Sequence, residues 1–112
     1  MEGELRSALD AIALRRHVAI AVDPYTTFGP VEFDPTLGAL LRDKAQARQF
    51  SRRDMIAAAG HDSVLIAPVC PSAMLFVPSV DGITHNPREY STKEQIARGA
   101  QVLLDAVLAL AG

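Results

Sequence analysis

The three histidines are the residues of this chain best suited to chemistry, because a neutral imidazole is both a common metal ligand and a proton carrier near pH 7. His17 follows Arg15-Arg16 at a helix–strand junction and reads as a solvent-exposed ring. His61 follows Gly60 at an expected strand-to-helix turn, where sheet folds place binding groups. A structural role at the helix start stands beside that reading. His85 lies in GITHNPREY, where Pro87 stiffens the loop and the Asn86 side chain can hold a local turn. Such a loop can aim an imidazole at a metal or a substrate; a plain loop histidine is the alternative. His61 and His85 are far apart in sequence and no cysteine cluster accompanies them, so no self-contained zinc motif is present. There is also no P-loop and no GxGxxG. Cys70, followed by Pro71 and an apolar run, is expected to be a buried, inert thiol. Arg15-Arg16 and Arg52-Arg53 read as solvated pairs, with Arg52 or Arg53 able to bind a carboxylate, and Glu89 as a surface or loop-anchoring residue.

The elements that must position these residues follow from periodicity and punctuation. Leu5, Ala8, Leu9 and Ile12 recur at helical spacing and predict an amphipathic helix over 5–16. HVAIAVD, from His17 to Asp23, alternates and predicts a strand, followed by a turn-rich connection from Pro24 to Pro30 that includes Thr26, Thr27 and Gly29. Asp34-Pro35 is a helix start, because Asp34 can accept from free N–H groups and Pro35 has no N–H to lose. Leu37, Leu40, Leu41 and Ala45 continue that helix to about Gln49. Arg52 to Ala57 fits a short strand, and a short helical turn starting at Gly60 should end near Pro68. Ala73 to Val77 suits a strand buried on both faces. Ser91 and Glu94 fit a capping box that opens a last helix carrying Ile96, Ala100, Leu103, Val107 and Leu110. Its second apolar row, Leu104 and Leu108, implies cover on more than one side. The alternation of elements predicts the α/β class, a partial layered sheet with flanking helices.

Composition narrows the functional classes. The 112 residues, 49% hydrophobic and 21% charged, can bury a core. A net charge of −2 lacks the basic excess of an electrostatic nucleic-acid binder. A single cysteine rules out an intrachain disulfide and fits a reducing, cytoplasmic setting. No apolar run is long enough to span a bilayer, and MEGELRSALD has no signal-peptide core.

The stretch AAAGHDS…CPSAMLFVPSVDGITHNPREYS resembles the C-terminal part of the metal-dependent amidohydrolases that include N-carbamoyl-L-amino-acid hydrolases and allantoate amidohydrolases, within the aminoacylase/carboxypeptidase superfamily. The matching residues are Gly60-His61-Asp62, Cys70-Pro71, Ala73-Met74, Phe76 to Ser79, Gly82-Ile83, His85-Asn86-Pro87 and Glu89-Tyr90. The upstream PVEFDPTL matches as well. Where the family reads SGAG this chain has Ala57-Ala58-Ala59-Gly60, and a left-handed backbone at Ala58 would be strained.

The resemblance implies the C-terminal part of a zinc-metallohydrolase catalytic domain. Residues 1–23 would be the end of a lid or dimerisation domain and residues 24–112 the catalytic segment, re-entered from about Phe28. It implies a pair of divalent metals, zinc first with manganese or cobalt possible, and a metal-activated water that hydrolyses a non-peptide C–N bond in N-carbamoyl amino acids or ureido compounds such as allantoate. His85 occupies the last metal-ligand position, Gly60 and His61 line the substrate pocket, and Asn86 orients the His85 loop. No catalytic residue proper falls in this chain; the other ligands, the general base and the substrate-gripping residues lie upstream in the family. The isolated chain is therefore expected to be inactive. The full-length enzyme would act on a small molecule as a homodimer, without nucleic acid or membrane. The alternatives are a non-enzymatic assembly subunit completing a separate N-terminal part, or a peptidase or aminoacylase of the same superfamily. With its sheet neighbours missing, the chain is also expected to be marginally stable or self-associating.

Overall fold

A computed structural model describes residues 2–26 and 29–112. Thr27 in the expected turn and Phe28 at the expected re-entry lie outside the described residues. The chain forms two units, Met1–Pro30 and Val31–Gly112.

The first unit is built on helix α1, Glu2–Arg16, with Glu2 and Glu4 in its first turn and Arg15 and Arg16 in its last. Charges so placed oppose the helix macrodipole. Arg6 adds a bond to the Glu2 carboxylate one turn back, at 3.1 Å. The helix stops at His17, whose φ of 53° is left-handed. The Val18 N–H then reaches back to Ala13 O at 3.1 Å, the six-to-one bond of a Schellman ending. His17 is exposed, as its setting implied, but it terminates a helix and opens no strand. Of the expected apolar face, only Leu9 is half-buried; Leu5, Ala8 and Ile12 are exposed.

In the second unit, α2 runs over Pro35–Ala47. Asp34 Oδ1 accepts from the Leu37 N–H at 2.9 Å, and Pro35 sits at the helix start as expected. Its end repeats the device of α1: Gln49 has φ 58°, Phe50 N–H bonds Ala45 O and Gln49 N–H bonds Gln46 O, both at 2.9 Å. A single turn, α3, covers Ser63–Ile66 and stops short of Pro68. A 3-10 turn at Val80–Gly82 precedes the last helix, α4, Lys93–Ala111.

The capping box of α4 lies one residue later than the sequence suggested. Thr92 Oγ1 accepts from the Gln95 N–H at 3.2 Å, and Gln95 Oε1 accepts from the Thr92 N–H at 2.8 Å. Ser91 is unavailable because its hydroxyl donates to Pro78 O, 2.8 Å away, and Thr92 and Gln95 supply the same chemistry in the next register.

Helices α2 and α4 pack on each other around Ala45, Val102 and Ala106, the buried apolar residues among those described. Arg48, at the end of α2, forks onto the Asp105 carboxylate of α4 with N–O distances of 2.5 and 2.9 Å. The Arg98 guanidinium lies 5.4 Å from the Phe50 ring centroid. An apolar cleft of about 150 Å³ opens between the helices, lined by Leu37, Leu40, Leu41, Leu103, Val107 and Leu110. Gly99 lets Val77 approach the α4 backbone, and any Cβ there would collide with the Val77 methyl. The apolar rows expected to be covered are largely open: Ile96, Leu103, Leu104, Val107, Leu108 and Leu110 are exposed. No helix among the described residues is long and apolar enough to cross a membrane.

The described chain is helical, a partial domain without strands. The segments expected as strands, His17–Asp23, Arg52–Ala57 and Ala73–Val77, carry irregular backbone after the helix-terminating His17. The physical reason is pairing. A strand persists only against a ladder, and within its own unit, among the described residues, none of these segments bonds a second extended segment. A long-range backbone bond, from Asp34 N–H to Ser72 O at 2.9 Å, falls just before the apolar run.

Candidate functional site

His85 is carried by a loop that closes on itself. At its base the Val80 N–H bonds Tyr90 O at 2.8 Å, beside the Ser91–Pro78 bond. Ser79 Oγ donates to Ile83 O, and the Ile83 N–H bonds Val80 O at 3.2 Å. This tight corner places Asp81 at φ 57° and Gly82 at φ 67°, so the glycine supplies the second of two left-handed residues without a Cβ penalty. Next comes an Asx turn: Asn86 Oδ1 accepts from the Arg88 N–H at 3.0 Å, and Asn86 O accepts from the Glu89 N–H at 2.8 Å. Pro87 sits inside it with no donor to satisfy. The expected turn-holding role of the Asn86 side chain is thus seen in the geometry.

His85 itself has φ 53°, an uncommon backbone for a residue with a Cβ. Its N–H donates to Glu89 Oε2 at 2.7 Å. The side chain is exposed, and among the described residues no hydrogen bond engages its ring. Both ring nitrogens are therefore uncommitted.

His61 is committed. Its Nδ1 accepts from the Ser63 N–H at 3.2 Å and lies 2.9 Å from Ser63 Oγ. It thereby serves an N–H at the start of α3, where Asp62 makes no side-chain cap. This is the helix-start role, and it leaves the Nε2 nitrogen to carry the proton of a neutral ring. Gly60 is exposed, open around its Cα and not left-handed, and neither is Ala58, so the alanines strain nothing. His61 and His85 are held by separate local networks, with no bond between them.

No group of three or more His, Cys, Asp or Glu among the described residues could hold a metal ion. A free imidazole like that of His85 can serve as one ligand of a larger donor set. Cys70 is exposed rather than buried. The chain leaves α3 there through Pro71 with no element laid over it, and the thiol's neighbours are Ile66 O at 3.9 Å and Ser72 Oγ at 3.8 Å. Arg52 meets the Gln46 amide oxygen at 3.5 Å and binds no carboxylate. The hydrogen bond from Arg48 holds the Asp105 carboxyl below its ordinary value, and Asp105 raises Arg48 in return.

The four-residue spacing from His85 to Glu89 brings a carboxylate back onto the histidine's own N–H, the contact by which Glu89 anchors the loop. The Ser63 partner of His61 lies within two residues of it, a spacing that signals the contact in the sequence.

Comparison with known proteins agrees with the motifs. The chain is 33% identical over 108 residues to the allantoate amidohydrolase of Bacillus subtilis, covering 96% of this chain and 26% of that protein. It is 38% identical over 99 residues to the N-carbamoyl-L-amino-acid amidohydrolase of Paenarthrobacter aurescens, covering 88% of this chain and 24% of that protein. Among solved structures, an amidase of the hydantoinase/carbamoylase family from Burkholderia vietnamiensis superposes with a TM-score of 0.89 at 37% identity, over 96% of this chain and 26% of that one. The chain thus spans about a quarter of the length of the relatives it matches. With the model of peptidase family M20/M25/M40 matching residues 6–109, the chain belongs to that family.

Proposed function

We propose that this chain is the C-terminal part of a metal-dependent amidohydrolase that cleaves a non-peptide C–N bond in N-carbamoyl amino acids or in ureido compounds such as allantoate. The observation that carries the reading is the uncommitted, exposed imidazole of His85 on a self-closed loop. It stands in a stretch shared with relatives named for those two activities.

In this reading His85 supplies one ligand to a pair of divalent metals, zinc first, with manganese or cobalt as substitutes. When bound, the pair supplies Lewis acidity and an activated water. Asn86 fixes the turn beside the ligand, and Gly60 and His61 form part of the substrate pocket, with His61 Nε2 facing the chemistry as a donor. Residues 1–23 end a lid or dimerisation domain, and the apolar run 73–77 becomes a strand of a layered sheet completed by further polypeptide. The whole enzyme is a cytoplasmic homodimer acting on a small molecule.

One imidazole does not make a metal site, so the 112-residue chain alone is inactive. Purified and supplied with zinc or manganese, it should turn over neither N-carbamoyl amino acids nor allantoate. Turnover that vanishes in His85→Ala would overturn that statement. Co-expression with the N-terminal part of one of the relatives should restore hydrolysis, and His85→Ala should abolish it. A second reading, a non-enzymatic subunit that completes a separate partner chain, draws on the open apolar rows of α4. It predicts recovery of activity on mixing that survives His85→Ala.

A further inference from the structure

We propose that Glu89 is a positioning residue for His85: its carboxylate holds the histidine's backbone in the left-handed region and so sets the direction in which the imidazole leaves the loop. Three observations converge. The Glu89 Oε2 to His85 N distance is 2.7 Å, a short bond to a charged acceptor. His85 has φ 53°, a conformation that is strained for an L residue with a Cβ and persists only where surroundings impose it. The ring takes part in no hydrogen bond of its own among the described residues, so its direction follows the backbone that carries it rather than a bond to the ring.

The Asn86 turn makes the reach possible. Its carbonyl accepts from the Glu89 N–H at 2.8 Å and its side chain from the Arg88 N–H at 3.0 Å, which folds Glu89 back over His85. A ligand ring on a left-handed residue points differently from one on an extended residue. A lost carboxylate would therefore mis-aim the imidazole while leaving its chemistry intact. The inference rests on the reading of His85 as a ligand for its functional meaning, but its test needs no metal.

The test is amide hydrogen exchange and Cα/Cβ chemical shifts by NMR on the whole 112-residue chain. In Glu89→Ala the His85 amide should exchange at least about tenfold faster, as expected for loss of a charge-assisted bond, and its shifts should leave the left-handed range. Glu89→Gln keeps a neutral acceptor at the same reach, so the shifts should stay left-handed and the exchange rate should lie closer to the parent than to the alanine variant. The α4 core amides of Val102 and Ala106 serve as the internal standard and should not change. Equal loss in the Gln and Ala variants, no loss in either, or a loss shared by Val102 and Ala106 would each overturn the proposal. Failure of the ligand reading would show elsewhere, as hydrolysis by the reconstituted enzyme that is indifferent to His85→Ala.

Discussion

Arg48 and Asp105 make the strongest polar contact between α2 and α4, a two-pronged bond whose geometry suits a guanidinium better than an ammonium. Because the Arg48 hydrogen bond holds the Asp105 pKa below its ordinary 3.8, the carboxylate form is favoured in the folded chain. The stabilisation is complete above 3.8 and is lost as the pH falls through the depressed folded value. Denaturant midpoints followed from neutrality to about pH 2 should show an acid limb in the parent chain that Asp105→Asn flattens. Raising the salt should weaken the pair only in part, since both side chains are partly covered. At this scale the sequence revealed the donor and offered Glu89 as a loop anchor, without showing which group it holds. Asn86-Pro87 announces a stiff turn, so a presented His85 was legible. The Glu89 contact depends on a left-handed backbone that no residue type in GITHNPREY requires.

Helix α4 and the apolar run before the loop meet where Gly99 leaves room for Val77. Gly99→Ala should therefore destabilise the chain by about 1–3 kcal/mol, the usual consequence of overpacking, despite alanine's better helix propensity. Val77→Ala in the same chain should recover most of that loss, and the paired melting curves measure it. Local rules made the helices readable: Asp34-Pro35 starts α2 by chemistry contained within four residues. The start of α4 was read one residue early because Ser91 and Thr92 are equivalent as caps on paper, and only the Pro78 carbonyl distinguishes them. The strands failed for the opposite reason. Alternation in HVAIAVD and the apolar run AMLFV report a capacity to pair, whereas a ladder depends on a second segment, which neither run bonds within its own unit.

For the molecule as a whole, the long apolar rows of α4 remain open beside the α2 packing, with Leu104 at 55% and Leu108 at 61% exposure. Contiguous apolar surface of this kind drives association in water. Sedimentation at increasing concentration should show self-association, and Leu104→Glu with Leu108→Glu should shift the population to monomer without loss of helix content. A sharp monomer at all concentrations in the parent chain would contradict this. The loop around His85 has the opposite character. Its two feet are stitched together by Val80–Tyr90 and Ser91–Pro78, and its interior bonds are its own. Such a segment is a portable cassette: grafted between any two anchors spaced like Pro78 and Ser91, it should keep its shape and bring an imidazole to a host that never evolved one there.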